Sequence, residues 1–132
     1  MTYDSLIKRI EKIRPAELTE RNHVVAQIVE LGIRWSLATI GSCLETRNTL
    51  QTLRAVEHAY QQNPSSANNA SQTAMMLSLV DIEQGSVVEK ILQEAVQRLE
   101  DGVIKMHELG AVGKANEYAK IYRTLSEYIQ IS

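Results

Sequence analysis

Apolar residues recur along this chain at three- and four-residue steps, the spacing of one face of an α-helix. Tyr3, Leu6, Ile7, Ile10 and Ile13 follow that spacing and predict an amphipathic helix over 3–13. Thr2 is placed to cap it, and Arg14-Pro15 stops it, because proline disfavours helical geometry in the residue before it. Pro15 then suits the first turn of a second helix, running from about Ala16 to at least Ile40. Val24, Ile28, Leu31, Trp35 and Ala38 form one apolar stripe on it, and Val25, Val29, Ile33, Leu37 and Ile40 form another. Two stripes predict a central helix enclosed by neighbours on most sides, with Glu30 and Arg34 pairing at i and i+4 on the polar strip that remains.

Beyond Ile40 the pattern admits two readings. Ser42-Cys43-Leu44-Glu45 has capping-box spacing and would start a new helix through Tyr60. No turn residues separate the halves, however, so a continuous or kinked helix through Gly41 is the preferred expectation, with Leu50, Leu53, Val56 and Tyr60 on its buried face. Asn63 to Ser71 is polar, uncharged and rich in loop formers, and predicts a flexible, exposed loop over 63–71. A short helix at about 72–82 follows, carrying Met75 and Met76 and stopped by Gly85. Ser86-Val87-Val88-Glu89 is a second capping box, opening a helix to Leu109 with Val88, Leu92, Ala95, Leu99 and Met106 as its seam. Gly110 sits where left-handed geometry commonly closes a helix. The last helix, Lys114–Ile129, buries Ala115, Tyr118, Ala119, Tyr122, Leu125 and Ile129.

Composition narrows the fold to all-α. Six glycines and two prolines are too few to supply the turns of an all-β protein, and the 132 residues suffice for one core without disulfides or a structural metal. The expectation is a single helical domain over 1–132, a four- to five-helix bundle with mainly antiparallel neighbours. A net charge of −2 gives no global pull toward nucleic acid or anionic lipid. The lone Cys43 cannot form an intrachain disulfide and fits a reducing compartment, and no signal-peptide pattern opens the chain. Val24–Leu44 is long enough to span a bilayer. It contains Gln27, Glu30 and Arg34, and a charge at the bilayer centre costs about 2.5–3.5 kcal/mol on insertion scales. No membrane is therefore expected, and a cytoplasmic location is.

Candidate chemistry is thin. Glu20-Arg21-Asn22-His23 has the Glu-x-x-His spacing used in pairs by carboxylate-bridged metal bundles, but the second motif is missing, since neither His58 nor His107 has a glutamate three residues before it. Cys43 has no sequence-adjacent cation or histidine to make a thiolate. Met106-His107-Glu108-Leu109-Gly110-Ala111 superficially echoes the phosphoacceptor run of histidine phosphotransfer domains, without its lysine and with glycine one residue early. No catalytic residue, cofactor or metal is expected.

Surfaces remain. Tyr118, Tyr122 and Tyr128 share the terminal helix, and tyrosine brings apolar area with a polar tip. Leu6 and Ile10 mark a short amphipathic helix split off by Pro15. These five residues point to a non-enzymatic interaction or assembly protein, such as a small adaptor, chaperone or structural subunit that forms homo-oligomers and binds an unidentified protein partner. The alternative is a nucleic-acid-associated factor using Lys114, Lys120 and Arg123, a reading that Glu117 and Glu127 weaken by diluting the patch. An enzyme of unknown chemistry stands third.

Overall fold

A computed structural model of the chain describes residues 2–62 and 82–129. Four helices and no strand occur among them: α1 (Tyr3–Glu11), α2 (Glu20–Gln62), α3 (Ile82–Glu108) and α4 (Val112–Ile129). The protein is an all-α helical bundle. It divides into two compact units, one of Met1–Ala38 with Ala95–Ser132, the other of Thr39–Glu94. The expected loop at 63–71 and the expected short helix with Met75 and Met76, all but its final residue, lie outside the described residues.

Helix α1 begins as its sequence predicts. The Thr2 hydroxyl accepts the Ser5 backbone N–H at 3.2 Å, and the Thr2 N–H donates to the Ser5 hydroxyl at 3.1 Å, a capping box that uses serine at the third position. The helix ends at Glu11, two residues earlier than expected.

The second helix starts at Glu20, which corrects the expectation of a start beside Pro15. The Ala16 N–H is committed to the Glu108 carbonyl at 3.0 Å, so the chain around Pro15 is fastened to the end of α3 instead of turning into a helix. Thr19 supplies the cap, its hydroxyl accepting the Asn22 N–H at 3.1 Å. From there α2 runs unbroken through Gly41, as the lack of turn residues predicts, so Ser42 caps nothing. Helix α3 likewise passes straight through Gly85 and Ser86, which corrects the expected stop and restart. One glycine in a long helix costs only about 1 kcal/mol relative to alanine, and flanking turns absorb it.

The α3–α4 turn is fixed by backbone bonds. The Ala111 N–H donates to the Met106 carbonyl at 2.9 Å and the Gly110 N–H to the His107 carbonyl at 3.1 Å, the paired bonds of a Schellman motif. Gly110 has the left-handed φ of 94° that this motif requires. A Cβ there would also overlap the Ala16 carbonyl, because residues 16–18 cross directly over the turn. The His107 ring completes the fastening. Its Nε2 lies 3.1 Å from the Ile13 carbonyl, which can only accept, so that nitrogen carries the proton.

The core of the first unit gathers Leu6 and Ile10 of α1, Ala26 and Ile33 of α2, Leu99, Val103 and Met106 of α3, and Ala115, Tyr118, Ala119 and Tyr122 of α4. Gly102 allows α2 and α3 to approach closely, since an alanine methyl there would meet Ile33 Cγ1 at 2.5 Å.

Candidate interaction surface

Two polar pairs hold the helices that frame the surface. On α2, Glu30 is buried at 7% exposure, and its carboxylate receives the Arg34 guanidinium at 2.9 Å and the Lys114 ammonium of α4 at 3.0 Å from Oε1 and 2.6 Å from Oε2. Arg34 Nε also donates to the Tyr118 hydroxyl at 3.5 Å. The Lys114 hydrogen bond holds the Glu30 carboxyl below its ordinary range, against the opposing effect of burial. Deeper in the unit, Tyr122 donates a 2.6 Å hydrogen bond to Glu100, and both side chains are almost wholly buried. Burial, then this bond, pushes the Tyr122 phenol up. The second Glu100 oxygen has no hydrogen-bond partner among the described residues. In the other unit, Arg47 grips Glu89 through two bonds of 2.7 Å, Nε to Oε1 and Nη2 to Oε2. That grip lowers the Glu89 carboxyl.

Four of the five side chains expected at an interface are already covered within the chain. Leu6 and Tyr122 have no exposed surface, Ile10 is 6% exposed and Tyr118 9%, so their apolar area is spent on the core. Only Tyr128, at 78%, faces solvent. The basic residues of the alternative reading do not converge. Lys114 and Arg123 are nine residues apart, about 180° around a helix at about 100° per residue, so they lie on opposite faces. Lys114 is engaged by Glu30, and Arg123 lies 3.8 Å from Glu127 with its guanidinium 5.4 Å from the Tyr3 ring centroid. Lys120 is exposed.

The surface that does stand open was read from the sequence as core. Of the two apolar stripes on α2, the one through Ile33 and Ile40 is buried at those two residues and half-buried at Val25, Val29 and Leu37. The other is not: Val24 is 49% exposed, Ile28 63%, Leu31 65% and Trp35 73%. At about 100° per residue these four fall within an arc of about 60°, along roughly 16 Å of helix. Glu30 and Ile33, both buried, stand on the opposite side of α2. Single exposed apolar residues are ordinary, whereas here four of them, the protein's one tryptophan included, share one face. Covering the portions still exposed is worth roughly 4–7 kcal/mol before association costs, at about 1.5–3 kcal/mol per fully buried side chain.

Beside Trp35 lies an open groove of about 430 Å³ lined by Val29, Gly32, Ile33, Ser36, Arg98 and Gly102, among others. Gly32 faces it with nothing within 4 Å of where a Cβ would stand. Arg98, Asp101 and Lys105 are the charged residues among its lining.

No three His, Cys, Asp or Glu side chains converge among the described residues. His23 is exposed beside Gln27, and Cys43 is buried, its thiol pushed up chiefly by that burial. Residues Glu20–Val56 of α2 are long and apolar enough to cross a membrane by length and composition, a test that the core helix of a globular protein also passes. Comparison with known proteins gives no match to any family model, curated protein or solved structure.

Proposed function

We propose that this chain is a non-enzymatic assembly protein that receives an apolar helix along the Val24–Ile28–Leu31–Trp35 face of α2. The supporting observation is that face itself, contiguous, apolar and exposed, with a groove beside its tryptophan. Helix-in-groove recognition uses anchors at the same three- and four-residue spacing. The residues expected from sequence to act as anchors are mostly core, so α2 takes over the role assigned to α1 and α4. A cytoplasmic setting remains part of this proposal, on the grounds of the lone cysteine.

The test compares native complexes in host extract for the wild type and for Leu31→Asp. Leu31 is exposed, so the variant keeps its helical circular dichroism and melting temperature. Size-exclusion of the tagged protein is expected to show assemblies for the wild type that the variant loses. Identical elution of the two folded proteins would overturn the proposal.

A further inference from the structure

We draw no further inference here: the strongest candidate, the open groove between α2 and α3 beside Trp35, belongs to the surface already described, and nothing in the structure shows what fills it.

Discussion

Replacing Tyr122 by phenylalanine removes one oxygen atom from a site with no solvent. Tyr122 is fully buried, Glu100 is 1% exposed, and the bond between them is 2.6 Å long. The other Glu100 oxygen already lacks a hydrogen-bond partner among the described residues, so the variant strands a buried carboxyl. A hydrogen bond to such a group contributes about 1.5–3 kcal/mol, and leaving a buried polar group unsatisfied costs about 1–3 kcal/mol. Tyr122→Phe is therefore expected to destabilise the fold by about 2–3 kcal/mol. Glu100→Met, which takes that acceptor away from the phenol, is expected to cost a similar amount by the same principle. The double variant replaces a polar pair by apolar groups of like volume and should cost less than either single change, because no group is stranded. Urea denaturation followed by far-ultraviolet circular dichroism gives all three values, provided the slope against denaturant is unchanged. A coupling of about 2 kcal/mol or more is expected. If the double loss equals the sum of the single losses, the buried pair is not the unit described and the reasoning fails. The alkaline limb offers an independent check. Because the folded state holds the Tyr122 proton above the ordinary tyrosine value of about 10, it binds more protons than the unfolded chain beyond that pH. Stability is unaffected below that point and declines as pH rises above it, and Tyr122→Phe should make the decline shallower.

Glu30 predicts the opposite limb. Its carboxyl is held low by Lys114, so its contribution is full above the ordinary carboxylate range and is lost as pH falls through the folded value. Glu30→Gln should flatten the acid side of a stability–pH profile, and it should also alter the alkaline side, because Glu30 is what holds the Lys114 ammonium above its ordinary value. Gly110→Ala is expected to lower stability by at least about 1–2 kcal/mol from its left-handed φ alone, with the overlap against Ala16 adding to that, whereas Gly41→Ala, in an open helix interior, should raise it by about 0.5–1 kcal/mol. Thermal melts of the two variants with opposite signs check both positions.

What was legible from sequence here is what is local. The Thr2 cap, the left-handed Gly110 and the Glu30–Arg34 pair each involve residues within one helical turn, so composition and spacing determine them. The start of α2 was misplaced because Pro15 fits a helix N-terminus equally well as it fits an extended segment. A long-range bond from Ala16 to Glu108 decided between the two. The stripe at Val24, Ile28, Leu31 and Trp35 shows the limit most clearly. Periodicity reports which residues share a face and is silent on whether another helix covers it. Lys114–Glu30 and Tyr122–Glu100 connect residues 84 and 22 positions apart, and no short-range pattern announces either. Of the tyrosines of α4, Tyr118 and Tyr122 belong to the core, and Tyr128 alone stays exposed.

The first unit joins the two ends of the chain, Met1–Ala38 and Ala95–Ser132, around one set of buried side chains. A ribosome delivers those ends at different times. At about 5–20 residues per second, α1 and the first half of α2 emerge several seconds before the α3–α4 turn on which they close. Throughout that interval Leu6, Ile10 and Ile33 have no native cover, and the α2 stripe lies bare beside them. Contacts of such long sequence separation slow folding as well, since the loop must close before any of them forms.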